Sequence, residues 1–137
     1  MKVDVSLGDV VDRITICALK VQRIADPRKV AHAANELQAL RQAWQSADQP
    51  TLESLPQYHP LLEVNARLWE VEDALRDHEH RADFGESFIT LARSVYRLND
   101  QRAALKLAIN TALGSTLVEV KGYGGQEGRI PTTSTID

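Results

Sequence analysis

The sequence predicts an all-α protein, an antiparallel bundle of four main helices with a short extended arm at either end. Two observations carry that expectation. The first is the stretch Ser87 to Leu113, where apolar residues recur at Phe88, Leu91, Val95, Leu98, Leu105, Ile109 and Ala112. Steps of three and four with one longer gap are the seam of an amphipathic helix. The second is what is scarce: 5% of the residues are aromatic, and the seven Gly and five Pro cluster between periodic stretches and toward the C-terminal end. That pattern favours helices over sheets. At 137 residues the chain fits one domain, and a domain of that size buries roughly 68% of its unfolded surface, enough for a core without staples.

Val3 and Val5 alternate with Lys2 and Asp4, the period of a short strand or extended arm. Ser6 and Asp9 then form a capping box, although Asp reaches back to the Ser6 amide less well than Glu would. The first helix is expected from about Leu7 to Ala25, with its main face at Leu7, Val10, Val11, Ile14, Cys17, Ala18, Val21 and Ile24. Ile16 and Leu19 lie outside that face, so this helix is central to the bundle or shared with another subunit. Asp26 caps and Pro27 restarts the chain as a second helix to about Ser46. Its narrow stripe of Val30, Ala33, Ala34, Leu37, Leu40 and Trp44 marks an outer helix covering the first. Residues 47–60 form the one substantial linker, with Leu52 and Leu55 pinning a helical turn inside it. Pro60 opens the third helix, Leu61 to about Arg81, along Leu61, Val64, Leu68, Val71 and Leu75, bordered by Trp69. The short connection Ala82 to Glu86 makes helices three and four antiparallel neighbours. Helix four runs over 86–113 and ends at Gly114. Leu117 to Val120 extends as an arm that could dock against Val3 and Val5. Gly122 to Asp137, rich in Gly, Thr and Ser, is read as a flexible tail outside a domain of residues 1–121.

Charge and motif content exclude several functions. A net charge of −3 and a pI near 5.8 give no basic footprint, so neither nucleic acid nor a membrane surface is expected as a partner. The single Cys17 allows no disulfide within the chain and no cysteine-based zinc site, and suits a reducing compartment. Asp4 and Asp9 stand where a signal peptide needs an apolar core, and no apolar run approaches the ~20 residues of a membrane span. The expected location is cytoplasmic. There is no phosphate loop, dinucleotide fingerprint or nucleophile elbow, and no cofactor is expected.

The chemistry-bearing feature is a polar notch in the helix-four seam. Arg102 stands where an apolar residue belongs, with Asn99 and Lys106 one turn before and after it. Across a short turn, facing residues on helices three and four have numbers summing to about 168, which sets Asn65 near Arg102 and Glu72 near Tyr96 and Asn99. On the favoured reading this is a buried polar layer that fixes register, with Arg102 the natural partner of a buried Glu72. On the other, it is a pocket in which Arg102, Lys106 and Arg13 hold an anionic small molecule, Asn65, Tyr96 and Asn99 line it, and Glu72 is the catalytic base. His78 and His80 are two residues apart, on different sides of a helix, and read as a solvated helix end; no metal site is expected. Glu63, Glu70, Glu72 and Asp73 superficially resemble the magnesium-holding clusters of helical nucleotide hydrolases, which need more carboxylates on a facing helix than Glu36 supplies. Cys17 reads as core.

The segments VDVSLGDVVDRITI (Val3 to Ile16), NARLWEVED (Asn65 to Asp73) and FITLARSVYRLNDQRAALKLAIN (Phe88 to Asn110), followed by Gly114-Ser115 and LVEVKGY, resemble a bacterial family of short helical proteins known as a domain of unknown function. The resemblance covers about residues 3–123, and Ser94 to Asp100 is its most specific part. It implies one intact helical domain, and an association with sugar-transfer and surface-polysaccharide genes; it supplies no catalytic residues. A looser similarity is to the all-helical chorismate mutases, with Arg13, Arg102 and Lys106 in the dicarboxylate-holding role, and it is an analogy of fold alone. The function expected is a non-catalytic oligomerisation or protein-interaction module, a homodimer through helix one or helix four, as accessory subunit to a sugar-transfer enzyme. The alternative is a small-molecule enzyme or binding protein with an anion site between helices three and four.

Overall fold

The computed structural model describes residues 1–117. It is an all-α bundle: α1 Leu7–Arg23, α2 Pro27–Ser46, a single 3-10 turn Leu52–Ser54, α3 Tyr58–His80 and α4 Glu86–Leu113. No strand occurs among the described residues. The N-terminal arm has no regular structure, and Val3 and Val5 are exposed. The tail at 122–137, and the C-terminal arm beyond Leu117, lie outside the described residues.

The helix ends follow the local chemistry. Ser6 Oγ accepts the Asp9 amide at 3.1 Å, half of the expected capping box; the other half is missing because the Asp9 carboxylate lies 2.8 Å from Lys106 Nζ. Asp26 caps α2 by accepting the Arg28 amide at 2.9 Å. Helix α3 starts three residues earlier than Pro60 suggests, because Pro is accommodated in a first turn, where amides have no partner within the helix. Gly114, with φ of 64°, ends α4 in the left-handed conformation that favours glycine.

Helix α1 is the central element, packed against α2, α3 and α4. Leu19, expected as surplus apolar surface, is 4% exposed, so that part of the argument for a dimer through α1 falls. One core gathers Val11, Ile14, Trp44, Leu52, Leu55, Tyr58, Leu61 and Ile109, with Leu37 and Leu40 of α2 packed on it. Trp44 Nε1 donates to the Pro50 carbonyl at 2.8 Å, which ties the linker to the same end of the bundle. A smaller core of Val64, Leu68 and Leu98 lies between α3 and α4. Beyond it, toward the turn at residues 81–85, the two helices continue as a hairpin in which no apolar side chain is buried. His78 is the buried residue there, its Nδ1 3.0 Å from the Asp83 carbonyl and its ring edge-on to Phe88. It closes the turn rather than forming a solvated helix end.

Candidate functional site

The polar notch of α4 is filled from α1. Asp12 is 5% exposed, in a helix whose neighbouring turns are apolar. Its Oδ1 accepts Arg102 Nε at 2.9 Å and its Oδ2 accepts Arg102 Nη2 at 2.6 Å, the two-pronged geometry in which a guanidinium binds a carboxylate most strongly. Asn65 of α3 completes the layer. Its Nδ2 donates to Asp12 Oδ1 at 2.9 Å and to Thr15 Oγ1 at 2.8 Å, and the Thr15 hydroxyl donates to the Asp12 carbonyl at 2.7 Å. Three helices are thus pinned through one carboxylate, and Asp12, Thr15 and Asn65 in this layer each have partners, as burial requires.

Two further contacts hold the N-terminal turns of α1 against the C-terminal part of α4. Lys106, its side chain 12% exposed, pairs with Asp9 at 2.8 Å. The Gly8 amide donates to Asn110 Oδ1 at 2.7 Å, and the helices are so close here that a Cβ on Gly8 would sit 2.4 Å from the Lys106 carbonyl oxygen. Gly8, Asp12, Thr15 and Leu19 recur at the same three- and four-residue spacing as an apolar seam, and form the face α1 turns to α3 and α4.

The expected site residues divide into those the layer brings together and those it does not. Asn65 and Arg102 meet as expected, although through Asp12, which the sequence reading did not include; Lys106 joins the same side of α4. Glu72 is not the partner of Arg102. Its side chain is half exposed and lies 3.3 Å from Arg76 one turn along α3, because α1 carries a carboxylate into the notch while Glu72 lies toward the uncovered hairpin. Asn99 is exposed on the wall of a groove that Glu72 also lines. Tyr96 is 52% exposed and away from that groove, since six residues before Arg102 places it about 120° round the helix. Its ring lies under the Arg97 guanidinium at 5.9 Å, and a hydrogen bond from Arg93, helped by Arg97, holds its phenol below the ordinary range. Arg13 is exposed and 3.9 Å from Glu36.

Two grooves flank the Asp12–Arg102 pair. One, of about 470 Å³, runs between α1 and the α3–α4 hairpin past Ile16, Leu68, Trp69, Glu72 and Arg76. The other, of about 320 Å³, lies by Val10, Arg13, Leu40 and Lys106. Arg102 reaches both. Among the described residues no group of three or more His, Cys, Asp and Glu side chains is placed to hold a metal ion, and no helix is long and apolar enough to cross a membrane.

A family model for proteins of unknown function, DUF6165, matches residues 1–135. The chain belongs to that family, and the match runs on past Gly124, where the resemblance read from the sequence stops. No curated protein and no solved structure matches the chain.

Proposed function

We propose that this protein is a non-catalytic helical interaction module that works in the cytoplasm through its surfaces rather than through a reactive site. The observation that supports this most is the Asp12–Arg102 pair: the guanidinium that an anionic substrate would need is directed at a buried carboxylate of the same chain. Such a layer neutralises itself, and its use is to specify how α1, α3 and α4 meet. The family resemblance adds an accessory role beside a sugar-transfer or surface-polysaccharide enzyme. The anion-binding alternative would have to open the Asp12–Arg102 pair, or to use Lys20 and Arg76 on the rim of the larger groove beside Glu72 and Asp73.

The test replaces the layer. A double variant, Asp12→Leu with Arg102→Leu, is expected to fold and to keep its activity in the cell, while a thermal-shift screen of the wild type across sugar nucleotides, carboxylates and phosphates finds no stabiliser. A ligand at 100 times its dissociation constant would add about 2.7 kcal/mol, which such a screen detects. A stabilising anion, together with a double variant that folds but loses cellular function, would replace this reading with the enzyme or binding-protein one.

A further inference from the structure

Three large apolar side chains of α4 are exposed: Ile89 at 53%, Tyr96 at 52% and Leu107 at 49%. They are not scattered. At about 100° per residue Ile89 and Leu107 fall on the same line, about five turns apart, and Tyr96 falls within about 20° of it. Ala103, a heptad beyond Tyr96, lies on the same strip. Helix α4 therefore carries a second apolar line besides the seam it turns to α1 and α3, along its outer side and about 27 Å long. Scattered exposed apolar residues need no explanation, whereas a helix-long line of them is the form of a helix–helix contact.

The charges on the strip indicate what covers it. Arg93 lies three residues before Tyr96 and Asp100 four residues after it, both exposed and both on the Tyr96 side of the helix. In a two-fold contact the same patch meets itself, so two antiparallel copies of α4 crossing near Tyr96 would place Arg93 beside the partner's Asp100, twice by symmetry. The same register brings Ile89 against Ala103, with Leu107 one turn beyond. Tyr96, flanked by Arg93 and Arg97, takes the centre, and Tyr and Arg are the residue types that dominate binding energy in such centres. A parallel pairing would instead set Arg93 against Arg93 and Asp100 against Asp100.

We infer that α4 pairs with α4 of a second copy of this chain, antiparallel, through Ile89, Tyr96, Ala103 and Leu107. This rests on the interaction-module reading and names its first partner. A single helix pair buries little surface compared with a standard interface of about 1,600 Å², so the dimer belongs to the weak class with a micromolar dissociation constant.

The full-length chain tests this by sedimentation across a concentration series, with circular dichroism confirming the fold of each variant. The wild type is expected to pass from 15.2 kDa to twice that mass. Arg93→Asp and Asp100→Arg should each weaken the dimer at least tenfold, and the two combined should restore it. Oxidised Tyr96→Cys should cross-link to itself, whereas Ile89→Cys should cross-link to Ala103→Cys in a mixture and not to itself. A chain that stays monomeric at several hundred micromolar, a double charge swap that fails to restore association, or efficient Ile89→Cys self-linking would overturn the inference. None of these outcomes touches the ligand screen or the layer variant that test the function itself, so the two can fail separately.

Discussion

The two ends of the bundle are built differently. At the α1 end, four helices surround Val11, Ile14, Leu61 and Ile109, each 0% exposed, and the buried Asp12 carboxylate is answered by Arg102 and Asn65. At the hairpin end, between Leu68 on α3 and Leu98 on α4, His78 alone is buried, and Phe84, Ile89 and Tyr96 are half exposed. The apolar residues of the hairpin seam, Val71, Leu75, Phe88, Leu91 and Val95, are partly buried, since two helices can cover each other on only one side. Stability is thus concentrated where α1 sits, and the hairpin is held out with its apolar surface in reach of a partner. Regions with few buried apolar contacts open at low cost, and binding surfaces are commonly drawn from them.

Truncation should expose this difference most strongly. Ile109→Ala at the base is expected to cost about 4 kcal/mol, and Leu91→Ala in the hairpin about 1 kcal/mol, because a buried site loses packing that a half-covered one never had. Chemical denaturation of both variants checks this, and equal losses would erase the distinction. Gly8→Ala comes next. Its helix propensity improves by about 1 kcal/mol, but the added Cβ meets the Lys106 carbonyl at 2.4 Å, a backbone atom that cannot step aside. The net expected loss is about 2 kcal/mol, since overpacking costs about 1 to 3 and separating the helices also lengthens the Gly8–Asn110 bond. A stabilised Gly8→Ala would mean that α1 and α4 are not in close contact. The smallest effect is kinetic. Cys17 is buried at the base, and burial pushes its thiol pKa up, with Glu36 adding to the shift. Alkylation under native conditions should be slower than for an exposed thiol by on the order of tenfold or more, and Leu91→Ala should leave that rate nearly unchanged while Ile109→Ala raises it.

Much of this was legible in the sequence. The limits of α2 and α4 match those read from Asp26-Pro27, the ADFGE turn and Gly114, because caps, proline and glycine act locally. The apolar circumference of α1 made it central or shared with another subunit, and its packing against α2, α3 and α4 makes it central. What was not legible was the partner of Arg102. The expectation rested on the facing rule for α3 and α4, which pairs two helices and leaves out the third, and α1 supplies the carboxylate. A signal was present: Asp12 sits between Val11 and Ile14, in a helix otherwise rich in apolar residues, and at seam spacing from Gly8 and Thr15. An acidic residue in that setting must find a cation in the fold. His78 escaped for a related reason, since its burial depends on the path of the turn and not on its own helix.

The central claim is that Asp12 and Arg102 form a structural unit, and a double-mutant cycle measured by chemical denaturation tests it most directly. Arg102→Leu alone should cost about 3 kcal/mol, because it leaves a buried carboxylate without its cation, while replacing both residues with Leu should bring stability to within about 1 kcal/mol of the wild type. Asn65 would still donate to Thr15 in the double variant. Losses that simply add, with the double variant the least stable of the three, would show that the two residues act apart and would contradict the account.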